Sequence, residues 1–259
     1  MHLASATVRR GPPSSDRSDV HRVRGAGPLR VMCPRRAGKA AWIVTSSLGG
    51  GLVDGDRVAL EVDVDPGATC LITTQASSKV YRGASAQRLT VRAHGDAAVL
   101  VLPDPVVPYR EASFTQRTEV ALAAGASLAL CDTLTAGRVA FGERWSATRL
   151  DSTLELAIDG TRRLLDRIVL AGDVAARMRR FEALATVVVV GPRVADLARA
   201  ELARDRGDRA GVVIAGSPLA DGALFRIAGE RVELVTASVR DLLRATCQRL
   251  GEDPWARKW

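Results

Sequence analysis

The sequence has few aromatic residues and few histidines. Phe, Trp and Tyr make up 4% of the 259 residues, whereas apolar residues together make up 47%. The core is therefore expected to be aliphatic, built from Val, Leu, Ile and Ala. The three histidines, His2, His21 and His94, are scattered, and the four cysteines have no Cys-x-x-Cys spacing. A His/Cys metal site is therefore not expected.

Long apolar runs are also lacking. The longest, residues 183–191, is too short to span a bilayer and is typical of a buried strand. The N-terminus lacks the apolar segment of a secretory signal. Residues 1–19, rich in Pro, Ser and charge, are predicted to be a disordered tail. Isolated cysteines favour reduced core thiols in a cytoplasmic protein without a membrane partner.

The formal net charge is +8, but the basic residues are not concentrated on one element. Arginines are spread along the chain and interleaved with Asp and Glu. Nucleic-acid binding would require a basic stripe, stacking aromatics or a known motif. We therefore expect no nucleic-acid partner.

Alternating apolar residues predict strands from about residue 57 to residue 170. Three segments read as hairpins that turn at Gly67, Gly95 and Gly125, which are 28 and 30 residues apart. Further hairpins are predicted to turn at Asp159-Gly160 and at Gly229. The regular spacing indicates a stack of β units, although any all-β protein could place hairpins at similar intervals.

Two amphipathic helices are predicted in the C-terminal half, over residues 192–206 and 238–250, the second ended by Gly251. Strands and helices do not alternate, which argues against a doubly wound nucleotide-binding fold. The expected fold is a single, mainly β, β-helix-like domain over residues 20–259, carrying these two helices.

Residues 46–58 form a glycine-rich stretch, SSLGGGLVDGDRV. A phosphate-binding loop would need GxxxxGK[ST] followed by a helix, whereas here no Lys follows and an alternating strand comes next. Asp54 and Asp56 would also repel a phosphate. The stretch is predicted to be a bend between strands, in which the glycines permit positive φ or close backbone approach.

Several polar segments occur in a fixed order along the chain. They begin with the glycine stretch at residues 50–56 and continue with TTQASSKVYR, LPDPVVPY, Asp132, GRVAFGE and DGTRRLLDR, at residues 73–82, 102–109, 132, 137–143 and 159–167. This ordered set resembles the UreD (UreH) family of urease accessory proteins. Two departures are Asp54, where the family has Gly, and Asp166, where it has Glu.

The resemblance implies a non-enzymatic scaffold that acts with UreF, the GTPase UreG and urease apoprotein in nickel insertion. In this family an internal polar passage is proposed to conduct Ni²⁺, so transient Ni²⁺ is expected and no tightly bound cofactor. The alternative is an assembly factor that opens urease without carrying metal. An unrelated hydrolase lacks support, because His94 is the one histidine of the predicted domain core.

A conduit for Ni²⁺ needs weak oxygen ligands rather than the His and Cys ligands of a storage site. Asp56, Ser78, Asp132, Glu143 and Asp166 are the candidate residues of this path. Each acid also has a structural alternative. Asp56 could cap the glycine turn, Asp132 and Glu143 could pair with Arg138 or Arg144, and Asp166 could pair with Arg167.

Overall fold

The computed structural model describes residues 1–12, 14–35, 38–206 and 210–255. These residues form two β-sheets and three α-helices. The seven-stranded sheet contains, in spatial order, β14 (Thr161–Ala171), β13 (Arg149–Ile158), β11 (Ala112–Leu122), β8 (Gly83–Ala93), β5 (Arg57–Val64), β1 (His2–Arg10) and β2 (Ser18–Arg24). The mainly β fold with helices in the C-terminal half is thus confirmed.

The ten-stranded sheet lies against the first. Its main path contains β16 (Val212–Leu219), β17 (Gly222–Gly229), β15 (Ala183–Val190), β12 (Ser127–Thr135), β9 (Ala98–Val101), β6 (Thr69–Thr74), β4 (Ala41–Ser47) and β3 (Leu29–Met32). Two short strands, β10 (Val106–Pro108) and β7 (Ser78–Val80), pair with each other, and β10 also pairs with β12.

Successive coils of about 29 residues stack in parallel. Arg57 of β5 is in register with Ala86 of β8, and Thr69 of β6 is in register with Ala98 of β9. The first three predicted hairpins are therefore wrong, because the two strands of each pair lie in different sheets. Alternation shows that one face of a strand is buried, but it does not show which strand is the neighbour. The predicted stack of β units is nevertheless present.

The turns between the sheets lie on top of one another. A Cβ added to Gly125 would come 2.8 Å from the carbonyl oxygen of Gly95, and one added to Gly95 would come 2.8 Å from Pro66 Cβ. A side chain at either glycine would collide with the coil below. The spacing of these glycines therefore reflects close contact between successive turns.

The apolar core between the sheets is aliphatic, as the composition predicts. Val62 and Val91 of the first sheet and Val99, Leu128 and Val188 of the second belong to one buried cluster. Because helices cover the outer face of the ten-stranded sheet, β15 is buried on both faces. This double burial explains its continuous apolar run.

The helices are α1 (Val174–Met178), α2 (Ala195–Ala203) and α3 (Val232–Leu250). The hairpin at Asp159-Gly160 is confirmed by the antiparallel pairing of β13 with β14. The predicted hairpin at Gly229 is wrong, since α3 begins at Val232. Val232, Val235 and Val239 share one helical face, and this face packs on the sheet. None of the helices in the described ranges is both long enough and apolar enough to cross a membrane.

The prediction of a disordered tail over residues 1–19 is wrong for His2–Arg10. This segment is β1, which pairs in parallel with β5. Its alternate residues Ala4, Ala6 and Val8 are buried in the core between the sheets. Two of the three are alanines, so the apolar signal of the strand was weak beside the flanking Pro, Ser and charged residues.

Candidate functional site

Four of the polar segments, at residues 50–56, 73–82, 102–109 and 137–143, gather at one end of the stack, whereas the 159–167 segment begins at the opposite end, where Ala124 N donates to Asp159 Oδ1. Backbone hydrogen bonds join successive segments of these four: Leu52 N to Lys79 O (2.9 Å), Tyr81 N to Leu52 O (2.8 Å) and Tyr109 N to Val80 O (2.8 Å). We call this region, residues 46–56, 75–83, 103–111 and 136–148, the loop end. The turns at Gly67, Gly95 and Gly125 form the opposite end, because β5, β8 and β11 run between the two.

The glycine stretch of the loop end is a bend, as predicted. Gly49, Gly50 and Gly55 all have positive φ. Asp56 accepts a hydrogen bond at Oδ2 from Val53 N at 2.9 Å, so its carboxylate closes the turn. Asp54 accepts one from Ala84 N at 2.7 Å and fastens the bend to the start of β8.

Asp132 lies between the two sheets in a network of neutral hydrogen-bond donors. Its Oδ2 accepts from Gln116 Nε2 at 2.5 Å and from Ser152 Oγ at 3.0 Å. Gln116 in turn accepts a hydrogen bond from Gln87 at 2.7 Å. Burial raises the pKa of Asp132, and the nearby charge of Asp166 adds to this increase while the two donors oppose it.

Asp166 lies across the interior from the ten-stranded sheet and forms an ion pair with Arg226 of β17. Arg226 also donates to Thr186 Oγ1 at 2.9 Å, and Thr186 is in register with Asp132. The suggested partner of Asp166, Arg167, pairs with Asp151 at 2.8 Å instead. Adjacent residues of a strand point to opposite faces of the sheet. The side chain of Arg167 therefore lies on the outer face, and that of Asp166 lies on the face towards the ten-stranded sheet.

Glu143 forms a separate cluster at the loop end. It is buried and pairs with Arg138, whose Nε lies 2.9 Å from Glu143 Oε2. This hydrogen-bonded guanidinium holds the pKa of Glu143 below its usual value. Arg138 also stacks on Tyr109, with Cζ 4.0 Å from the ring centroid, and Tyr109 contacts Tyr81 edge to face. The suggested pairing of Glu143 with Arg138 is therefore present.

Two adjoining cavities lie between the network and the loop end. A cavity of about 90 Å³, the chamber, is lined by residues of both sheets that include Leu60, Leu130, Ser78 and Asp132. A second cavity of about 160 Å³, the loop-end cavity, is lined by Gly50, Ser77 and Lys79 among others. The two cavities share six lining residues: Leu29, Thr45, Val58, Thr74, Ser78 and Gln87. Ser78 therefore stands where one cavity meets the other.

Comparison with known proteins assigns this arrangement to a family. Residues 4–259 match the family model described as UreD urease accessory protein. The chain belongs to the UreD family. Urease accessory protein UreD of Sorangium cellulosum (strain So ce56) is 42% identical over 251 residues, 94% of this chain and 80% of that protein. UreD of Anaeromyxobacter sp. (strain Fw109-5) is 42% identical over 261 residues, 93% and 88% of the two chains.

A more distant UreD relative is also similar. Urease accessory protein D of Arabidopsis thaliana is 32% identical over 183 residues, 66% of this chain and 62% of that protein. Together these matches confirm the resemblance that rested on the order of the polar segments.

The structure brings together some of the predicted UreD site residues and separates others. Ser78 and Asp132 line the chamber, and Asp166 lies close enough to influence Asp132. Asp56 and Glu143 instead support the backbone and an ion pair at the loop end. Within the parts of the chain that the structure describes, no three His, Cys, Asp or Glu side chains are grouped to hold a metal ion.

Several interior polar residues of this UreD chain were not predicted from the sequence. They are Gln87, Gln116, Ser152, Asp104 and Arg226. A polar residue in an alternating strand ordinarily indicates the solvent face. The available signal was that Gln87 and Gln116 continue the inward-facing positions of β8 and β11, in phase with Val91 and Val120.

Proposed function

We propose that this chain is a metallochaperone scaffold needed for nickel insertion into urease apoprotein, acting in a cytoplasmic complex with a UreF-like protein and a UreG-like GTPase. Membership of a family of urease accessory proteins supports a role in urease maturation. We further propose that the chain is not an enzyme. Ni²⁺ is its transient cargo, and it keeps no tightly bound cofactor.

The observation that best supports a route for Ni²⁺ is the setting of Asp132. Asp132 lies at the chamber wall, and it accepts hydrogen bonds from the neutral side chains of Gln116 and Ser152. A neutral donor leaves the negative charge of a carboxylate in place, whereas Arg226 compensates the charge of Asp166. The chamber wall therefore combines the charge of the Asp132 carboxylate with amide and hydroxyl oxygens.

Such a set of groups is suited to transient binding. Two unit charges ~4 Å apart attract by about 4 kcal/mol at an effective dielectric constant near 20, and a dication feels roughly twice this before its dehydration is subtracted. Carboxylate, amide and hydroxyl oxygens are also poorer ligands for Ni²⁺ than imidazole or thiolate. A cation can thus enter the chamber and leave it again.

Exposed apolar residues at the loop end favour the second function, assembly without metal transfer. Phe141 is 73% exposed, Leu48 59% and Val53 51%, and Val139 is also exposed. Exposed apolar groups at one end of a protein are typical of a docking surface. A factor that only binds and opens urease would need this surface but not the chamber.

The two functions are separated by measuring urease activation in cells that express urease, the other accessory proteins and this chain. The chain is supplied as wild type, omitted, or changed by Asp132→Ala or Asp132→Asn. Asp63→Ala, which removes an acid on the outer face of β5, is the matched control. Ammonia release and nickel per urease active site are measured, and complex formation is checked by pull-down.

If Ni²⁺ passes the chamber, both Asp132 variants keep the complex but reduce nickel per active site, while Asp63→Ala behaves as wild type. If both Asp132 variants load nickel normally although omission of the chain abolishes activation, the assembly function is correct. Unchanged activation without the chain would overturn both.

A further inference from the structure

A third cavity adjoins the chamber on the side of helix α3. This helix-side cavity, of about 210 Å³, is lined by residues that include Ser77, Thr133, Thr236 and Arg240. It shares Pro103, Asp104 and Cys131 with the chamber. Cavities thus adjoin the chamber on two sides, one towards the loop end and one towards α3.

Asp104 lies at the second junction. Its side chain is buried, with 7% of the residue exposed, and it lines both the chamber and the helix-side cavity. Among the described residues that line the chamber, Asp104 and Asp132 are the two carboxylates. In the helix-side cavity, Asp104 is the one carboxylate within the described set.

A reciprocal hydrogen-bonded pair fixes Asp104 in this position. Asp104 N donates to Thr74 Oγ1 at 2.8 Å, and Thr74 Oγ1 donates to Asp104 Oδ2 at 3.3 Å. Thr74 lines the chamber and the loop-end cavity, so the pair borders all three spaces. Pro103 and Pro105 flank Asp104, restricting the backbone and offering no N–H of their own.

The helix-side cavity is also lined by a residue of the opposite charge. Arg240 of α3 lies there, with its guanidinium 5.9 Å from the ring centroid of Trp255. A cation at Asp104 is attracted by the carboxylate but meets a positive charge further on. This arrangement opposes retention of a cation in the helix-side cavity and favours its release.

We propose that Asp104 is a second cation-binding carboxylate of the interior route, which transfers a hydrated divalent cation between the Asp132 chamber and the helix-side cavity. The route then leads from the loop end past Ser78, Asp132 and Asp104 towards α3. This inference rests on the proposed function, and it adds a residue and a direction to it.

The test uses the complete accessory complex and urease, with Ni²⁺ as the probe. Asp104→Asn removes the charge but keeps an oxygen that can accept from Thr74, whereas Asp104→Glu keeps the charge. Thr236→Trp fills the helix-side cavity, and Thr236→Val is its control of similar size. Nickel per urease active site is measured over time, together with pull-down of the complex and the melting temperature of the chain.

The expected result is a fall of at least about tenfold in the initial rate of nickel loading for Asp104→Asn, a factor that corresponds to about 1.4 kcal/mol in a barrier. Asp104→Glu recovers part of the rate, and Thr236→Trp slows loading while Thr236→Val does not. All four variants retain the complex.

Two outcomes would overturn the inference. If Asp104→Asn lowers the melting temperature but loads nickel at the wild-type rate, Asp104 only fixes the 102–109 segment. If Thr236→Trp loads normally, the route does not pass the helix-side cavity. Asp132→Asn is measured in the same assay to distinguish failure of this inference from failure of the proposed function. If nickel passes the chamber, this variant loads less nickel whether or not Asp104 takes part.

Discussion

The interior of the stack differs between its two halves, although the same strands form both. In β11 the inward-facing residues Val120 and Leu122 lie towards the turns, Gln116 follows, and Phe114 lies nearest the loop end with Ala112. In β13 the corresponding residues are Leu156, Ser152 and Leu150. Towards the turns the sheets enclose an aliphatic core, which we call the apolar half. Towards the loop end a layer of polar groups with a cavity, the polar layer, comes first, and a smaller apolar cluster that includes Phe114 and Leu150 closes the end. Stability and the proposed cation route are thus separated along the strands.

The largest expected effect comes from damage to the apolar half. Leu156 is fully buried in the core between the sheets. Leu156→Ala should lower the free energy of unfolding by about 2–5 kcal/mol, because it removes buried methyl groups and leaves a cavity. Urea denaturation checks the loss, and nickel loading per folded molecule should stay at the wild-type level. A loss below about 1 kcal/mol would contradict a tightly packed apolar half.

A smaller effect is expected from Asp151 and Asp132, which should change stability in opposite directions as the pH changes. The Arg167 guanidinium, hydrogen bonded to Asp151, lowers the pKa of Asp151 to about 2 in the folded chain. Because this value lies below the unfolded value, the Asp151 carboxylate stabilises the fold at neutral pH, and the contribution is lost as the pH falls from about 4 towards 2. Asp151→Asn should therefore lower the melting temperature at pH 7 more than at pH 3.

Asp132 should show the opposite sign. Its pKa is raised by burial, so the folded chain binds this proton more tightly than the unfolded chain, and stability is lost as the pH rises through the raised pKa. Asp132→Asn should raise the melting temperature at pH 7, with a gain that shrinks in acid. The two variants are compared in the same thermal scans. If both variants change the melting temperature at pH 7 in the same direction, the two aspartates do not have the different environments inferred here.

A smaller effect on stability than that of Leu156→Ala is expected from the polar layer. Gln116→Leu replaces a buried amide by an apolar group of similar size and removes a donor to Asp132. Asp132 keeps the hydrogen bond from Ser152, but Gln87 loses its acceptor and Asp132 loses one donor. Because a buried polar group left without its partner costs about 1–3 kcal/mol, the free energy of unfolding should fall by about that amount. Nickel loading should also fall. Normal loading would show that the network only fills space.

The sequence predicts those features of the fold that depend on local spacing, and it does not predict those that depend on contacts between distant residues. The spacing of Gly67, Gly95 and Gly125 predicts the stacked coils, because each turn must pass close to the next. The partner of each strand is not predicted, since it depends on contacts between residues about 29 positions apart. The N-terminal strand is missed because its buried residues are mostly alanines.

For the site, the resemblance indicated Asp132 and Ser78, which line the chamber. The partner of Asp166 could not be found, because Arg226 lies 60 residues away in the other sheet. Asp104 was missed for a related reason. An acid between two prolines reads as a surface turn, and only the arrangement of three cavities shows that it lies inside.

The most direct test of the central claim is nickel transfer in the presence of an external chelator. The proposed complex of this chain with a UreF-like protein and a UreG-like GTPase is purified, loaded with Ni²⁺ and mixed with urease apoprotein and excess EDTA, and nickel per urease active site is measured. If the cation travels through the interior, wild-type transfer resists the chelator, and Asp132→Asn abolishes the resistant fraction. If EDTA prevents transfer by the wild-type complex as completely as by the variant, nickel passes through bulk solvent and the chamber is not its route.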